Sequence, residues 1–311
     1  MPLGRFIDLP TAFTGEGADL PYDAPDPLLL DLISNAAYQA YSMRKLTNDY
    51  TGPAVTVRRS SDSTTADVGF TSAGLLDTAA LLAFAGSGDA FVTTWHDQSG
   101  NNRDLAQATA ASQPQIVAAG ALVTLGSTPG MSFGTDRHLR HSAPGFASLV
   151  AAGGATLCEV HVDKTNTVSY GETDQSSSGG RFIPWFWSSA TPPVLNATVF
   201  DAAGTSQSNG ASFTTAAVDE VHADLFVKPL GAGATRYRDG VQRATSTTWN
   251  PVLPNNTTAA TLGGWANSAT PSVVSSDYSG KVGEHILFAG VLNAGAIAVL
   301  DTSQSAYFGL V

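Results

Sequence analysis

Several stretches of this 311-residue chain bring chemically capable side chains together. Glu159, His161 and Asp163 alternate in Cys-Glu-Val-His-Val-Asp, so on a strand all three share one face. A carboxylate–imidazole–carboxylate ladder can hold a metal ion or pass a proton. The solvent side of a sheet shows the same alternation, and that is the reading taken. Glu172 and Asp174 form an acidic pair in Tyr-Gly-Glu-Thr-Asp-Gln-Ser-Ser-Ser-Gly-Gly, where glycine and serine predict a solvated loop tip. Asp97, Ser99, Asn101 and Asp104 crowd the polar loop 96–104. Oxygen-rich loops can bind calcium, but the regular spacing and terminal glutamate of an EF-hand loop are missing. Such residues also close turns on their own backbone. The expectation is a buried polar turn, with calcium as the alternative and no metal site assigned.

Aromatic residues offer a different chemistry. Trp185, Phe186 and Trp187 stand in a row, and Tyr237, Trp249 and Trp265 with Asn267 could join them. Sugars stack their C–H faces on such rings while nearby polar groups bond the hydroxyls. Trp185, Trp187, Tyr237, Trp265 and Asn267 are the candidate carbohydrate-binding residues; packing in a core is the competing role for each. Cys158, the one cysteine, lies in an alternating apolar stretch and reads as a buried structural thiol. His138 and His141 are expected on a surface loop. No phosphate-cradling Gly-x-x-x-x-Gly-Lys loop and no Gly-x-Ser-x-Gly elbow occurs.

The elements that must position these groups are mostly strands. Short β-prone runs recur between Gly, Pro, Asn and Ser breaks: 54–59, 67–70, 91–95, 155–163, 181–187, 194–200, 220–227, 259–263 and 280–289. Asp239-Gly240 separates 234–238 from 241–247 and predicts a type I′ hairpin. Helical spacing is read over 28–46, 75–85 and 293–306. The fold class expected is all-β, a jelly-roll sandwich with a few short helices. Residues 1–30 carry four prolines after position 9 together with Phe6, Ile7, Phe13 and Tyr22, and are read as an extended N-terminal arm; 31–311 form the jelly roll. The net charge of −11 disfavours nucleic acid and anionic lipid. No basic start with an apolar run marks a secretory signal, and no stretch is apolar enough to span a membrane.

Three segments carry a family resemblance. They are Ala40-Tyr41-Ser42-Met43-Arg44-Lys45-Leu46 with Tyr50-Thr51-Gly52-Pro53; Leu76-Asp77-Thr78-Ala79-Ala80-Leu81; and Thr94-Trp95-His96-Asp97-Gln98-Ser99-Gly100-Asn101-Asn102-Arg103-Asp104-Leu105. In this order and spacing the chain resembles the first third of the alpha-L-arabinofuranosidase B catalytic domain. Gly280-Lys281-Val282-Gly283-Glu284-His285-Ile286-Leu287-Phe288 is similar to a closing strand of laminin-G-like and concanavalin A-like domains. The resemblance implies a concanavalin A-like jelly roll. It also implies a nucleophilic glutamate on a mid-chain strand, whose counterpart Arg181–Trp187 has no carboxylate. An acid/base aspartate is implied after a Gly-Gly pair, yet Gly263-Gly264 is followed by Trp265-Ala266-Asn267. The vicinal cysteine pair of the family is missing too.

From these departures, and because related domains occur in phage particles, the expectation is a non-catalytic virion surface protein of fibre or decoration type. It would bind host cell-surface polysaccharide, form a homo-oligomer, and attach to other virion proteins through residues 1–30. The alternatives are a purely structural capsid or tail subunit, and a glycoside hydrolase with relocated carboxylates.

Overall fold

The computed structural model describes residues 27–141, 145–164, 167–173, 181–200, 206–207, 210–215, 218–251, 259–266, 274–275 and 278–310. The strands that position the site are, in chain order, β1 (Ala37–Ser42), β2 (Val55–Arg59), β3 (Thr65–Val68), β4 (Ala90–Trp95), β5 (Leu105–Ala106), β6 (Gln115–Ala118), β7 (Met131–Ser132), β8 (Leu139–His141), β9 (Gly154–Val162), β10 (Thr167–Thr173), β11 (Arg181–Trp187), β12 (Val194–Phe200), β13 (Val221–Pro229), β14 (Ala234–Arg238), β15 (Val241–Ser246), β16 (Ala259–Leu262) and β17 (Lys281–Ala289). The α-helices are α1 (Thr78–Ala85), α2 (Phe146–Ala152) and α3 (Ala294–Phe308). The chain is all-β in class, as expected.

All these strands pair antiparallel. One layer runs β15–β14–β13–β9–β17–β1. The other runs β3–β2–β4–β5–β8–β16–β10–β11–β12. β7 bonds both β17 and β6, and β6 bonds β4, which ties the layers along one edge. The main core lies between them and includes Tyr41, Trp95, Leu157, Tyr170, Trp185, Trp187, Phe226 and Leu287.

The layer built on β9 is covered on both faces. Its inward residues, such as Leu157 and Phe226, meet the opposite layer. Its outward residues, Cys158, Leu225 and Ile286, meet Ile297 and Leu300 of α3. Every residue of β9 is therefore buried. Asn293 caps α3 by accepting from the Ala296 amide at 2.9 Å, and Gly309 ends it in a left-handed conformation, φ 68°. Arg44 on the Ser303 hydroxyl (2.8 Å) and Gln304 on the Cys158 sulfur (2.8 Å) pin the helix down. Cys158 is a free, buried thiol, in line with its sequence setting.

The helix expected over 28–46 does not form. Leu29–Leu32 make one 3-10 turn, and Ala37–Ser42 are strand β1. Ala40 faces the α3 side while Tyr41 faces the main core, which is strand alternation. Pairing with β17 outweighs the weak helix preference of Ala, Leu and Met. The helices over Thr78–Ala85 and Ala294–Phe308 do form, and Asp239 and Gly240 take φ of 49° and 71°, as a type I′ turn requires. Residues 1–26 of the expected arm lie outside the described residues; Leu29 and Ile33 are buried beneath α3.

Candidate functional site

Glu159, His161 and Asp163 do share a face, but it is the inward one, and all three are fully buried. The solvent-facing reading of this ladder is overturned. Its apolar alternates Cys158 and Val160 point to α3 and its neighbourhood, so polar alternation here separates two buried faces rather than inside from outside.

A buried ion cluster results. His161 donates from Nδ1 to Glu159 Oε1 and from Nε2 to Asp224 Oδ2, each at 3.1 Å. His285 donates to the second Glu159 oxygen at 2.8 Å. Arg238 on β14 forks both ways, to Asp224 (2.8 Å from Nε) and to Asp163 (2.8 Å from Nη2). Trp187, across the core on β11, donates its indole N–H to Asp163 at 3.1 Å. Burial alone would depress His161, but Asp163, Asp224 and Glu159 raise its pKa well above the usual imidazole value. Burial works against ionised carboxyls as well; even so, the bonds from His161 and His285 hold Glu159 at about 2. Arg238 and His161 likewise hold Asp163 and Asp224 below the usual carboxylate range.

That electrostatic state decides the chemistry. His161, Asp163 and Asp224 offer ligand atoms within 4.8 Å of one another, a spacing that suits a metal ion. Each His161 nitrogen already faces a carboxylate, however, and the guanidinium of Arg238 sits on both aspartates. The donor set does not fit a metal ion. Nor can Asp163 and Asp224 serve as an acid and nucleophile pair, since neither retains a proton to give. The cluster fastens strands β9, β13 and β14 to β11. Arg236, also fully buried, reinforces it: its guanidinium lies 4.8 Å from the Trp185 ring and bonds the Pro184 carbonyl. Burial lowers its pKa to about 9, and it stays charged at neutral pH.

The cluster meets a surface cleft through Arg238. Phe213, Thr215, His222, Arg238, Asp239, Val241 and Arg243 line a cleft of 170 Å³. Asp239 accepts from His222 Nδ1 at 2.7 Å and from the Ala223 amide at 2.9 Å. His222 Nε2 is buried without a hydrogen-bond partner. Sequence reasoning missed Asp224, Arg238, His222 and Asp239. The available signal was the pairing of His222 with Asp224 and of Arg236 with Arg238, each two apart on a strand.

The other sequence candidates fall elsewhere. Trp185 and Trp187 are fully buried in the main core and present no ring face to solvent. Tyr237 points to the opposite side of its layer, against the cluster under α3. Trp265 is on a short strand paired with Ser275, and Asn267 lies outside the described residues. In the polar loop, Asp97 accepts from the amides of Ala40, Ser99 and Arg103 at 2.9–3.0 Å, and Asp104 from the Asp97 amide and His96 at 2.8 and 2.9 Å. Asn101 bonds the Ala37 carbonyl at 3.0 Å and Ser99 the Asp97 carboxylate at 2.8 Å. These oxygens hold the loop to β1, which is the pinned polar turn. A larger cavity of 310 Å³ lies between this loop and Leu30, Ile33 and Tyr50. His138 and His141 are buried rather than on a surface loop, because β8 pairs on both sides. Glu172, expected at a loop tip, has its main chain within β10, opposite Phe182 of β11 and Ala260 of β16.

Residues 34–130 match the model of the alpha-L-arabinofuranosidase B catalytic domain. No curated protein matches the chain. Among solved structures, an arabinofuranosidase complexed with arabinofuranosyl-alpha-1,2-xylobiose is similar at TM-score 0.65 and 16% identity, covering 91% of this chain and 64% of that one. A GH54 α-L-arabinofuranosidase soaked with a cyclic sulfate inhibitor is similar at TM-score 0.64 and 15% identity, covering 88% and 63%. The chain thus spans under two thirds of the length of these enzymes. The fold is the arabinofuranosidase-type β fold. The expectation of a non-catalytic protein is corrected by these findings: the matched family model describes a catalytic domain, and both similar structures are glycoside hydrolases.

Proposed function

We propose that the chain is a carbohydrate-active domain that takes an arabinofuranosyl-bearing glycan and hydrolyses its glycosidic bond. The observation that carries this reading is the match of residues 34–130 to the family's catalytic domain. The shared fold over 91% of the chain supports it.

Hydrolysis of this kind uses two carboxyl groups flanking the scissile bond. Asp163 and Asp224 are excluded by their bonds to Arg238, so both carboxyl groups must come from elsewhere. We propose Glu172 as one of them. Its main chain stands on β10 between β11 and β16. Those are the two strands whose counterparts, by the resemblance, bear the family's nucleophile and lead into its acid/base. This is the relocated-carboxylate form of the activity. The test is release of nitrophenol from 4-nitrophenyl α-L-arabinofuranoside. The wild-type chain should turn it over, and Glu172→Gln should lose about 10²-fold or more in kcat/KM. A wild-type chain without turnover would overturn the reading; equal turnover by Glu172→Gln would overturn the choice of residue.

The setting we propose is a particle surface, with residues 1–30 as the attaching arm and a host-surface glycan as the target. The support is the Pro-rich, apolar composition of that arm. A chain lacking residues 1–26, which keeps Leu29 beneath α3, should fold yet no longer sediment with particles; co-sedimentation of that chain would refute the arm's role.

A further inference from the structure

We infer that the cleft around His222 is a binding subsite for one neutral monosaccharide unit, read through the free nitrogen of His222. This rests on the reading that the chain recognises glycan.

Four observations lead there. First, His222 is oriented: Asp239 accepts a hydrogen bond from its Nδ1 at 2.7 Å, so the ring cannot swing without losing that bond. Second, its Nε2 is buried without a hydrogen-bond partner, although it lines a cleft. The nearest carboxylate oxygens, Glu220 Oε2 at 3.5 Å and Asp163 Oδ2 at 4.0 Å, make no hydrogen bond to it. A buried polar atom left unpaired costs free energy that a ligand hydroxyl would recover. Third, the floor is rigid, because Arg238 is tied into the core by both Asp163 and Asp224. Fourth, Phe213 supplies an apolar wall, with the guanidinium carbons of Arg238 and Arg243 at 4.9 and 5.8 Å from its ring centre.

Charge selects the ligand class. Arg238 is held between two aspartates, and Asp239 accepts from His222 with one oxygen and from the Ala223 amide with the other. Besides it, the lining carries the Arg243 cation, and the Glu220 carboxylate lies 3.5 Å from His222 Nε2. A uronate would face two carboxylates, and an amine would face the Arg243 guanidinium. Hydroxyls, which both donate and accept, suit this set. A volume of 170 Å³ is well below that of a pocket for a drug-sized ligand, so one sugar unit is the limit.

The test is a titration with methyl α-L-arabinofuranoside and with arabinofuranosyl-xylobiose, read by NMR of the histidine imidazoles and by calorimetry. The His222 ring signals should shift. His222→Gln should weaken Kd roughly tenfold, the loss expected for one buried hydrogen bond. Arg243→Ala, at an exposed position, should weaken it as well with Tm unchanged, which covers the case in which His222→Gln fails to fold. Sugar binding with still His222 signals and unaltered Kd in Arg243→Ala would overturn the subsite and leave the glycan reading intact. Nitrophenol release without any binding that moves His222 has the same meaning. Absence of both binding and hydrolysis would overturn subsite and reading together.

Discussion

Arg238 stands between two aspartates in the core, and its removal would leave His161, already shared with Glu159, as the cation bonded to them. Breaking a buried ion pair from one side costs about 3–5 kcal/mol, far more than a pair contributes at the surface. Arg238→Leu should therefore lower the free energy of unfolding by about that amount in a urea titration. A loss under about 1 kcal/mol would mean that water reaches the aspartates. Asp224→Asn should cost less, because Arg238 keeps Asp163 and His161 keeps Glu159. The Glu159–His161–Asp163 ladder could be read from the local sequence, but its partners Asp224 and Arg238 could not. Asp163 and Arg238 are 75 positions apart, and strand parity alone does not say which face of a doubly covered layer takes the charge.

At the scale of elements, the hairpin between β14 and β15 sets where Arg236 and Arg238 reach. Gly240 has a φ of 71°, and a Cβ there would meet the Asp301 carboxylate at 2.3 Å. Gly240→Ala should cost more than the roughly 1 kcal/mol of a strained left-handed alanine, seen as a lower Tm, with α3 disturbed through Asp301. An unchanged Tm would show that α3 yields without loss. The Asp-Gly signal was legible because a type I′ turn needs φ > 0 at both positions, a local demand. The helix read over 28–46 failed for the opposite reason. Its Ala and Tyr residues satisfy a strand once β17 is there to pair with them.

For the whole molecule, acid should act in two stages. Burial holds His141 neutral, with its pKa lowered to about 4 from an ordinary 6.5, and His138 shares that direction and value. The unfolded chain binds these protons first, so stability falls as pH drops from about 6.5 to 4. For His141 alone the full effect is about 3 kcal/mol. Below pH 4, Glu159 and Asp224 continue the loss, because their folded carboxyls lie below the unfolded ones. His161 acts at the other end: its stabilisation is complete below about 6.5 and lost as pH rises through its elevated folded value. Tm measured against pH should fall on both sides of a near-neutral maximum. His141→Gln should make the segment between 6.5 and 4 shallower, with His138 supplying the remaining slope, and a wild-type curve flat across that segment would contradict the assignment.

Composition, turn residues and period-two runs determined the all-β class, the main strands and the C-terminal helix, because each depends on neighbours a few positions away. The segment around 94–105 carried the resemblance for the same reason: its loop bonds its own backbone and β1 through fixed spacings. The interior was decided only by the tertiary structure. Covering one layer with α3 on one side and the second layer on the other turns every alternate residue of β9 inward to something. The rule that polar residues face water then no longer holds, and His161, Asp224 and Arg238 end in the core because each arrives there with its counter-charge.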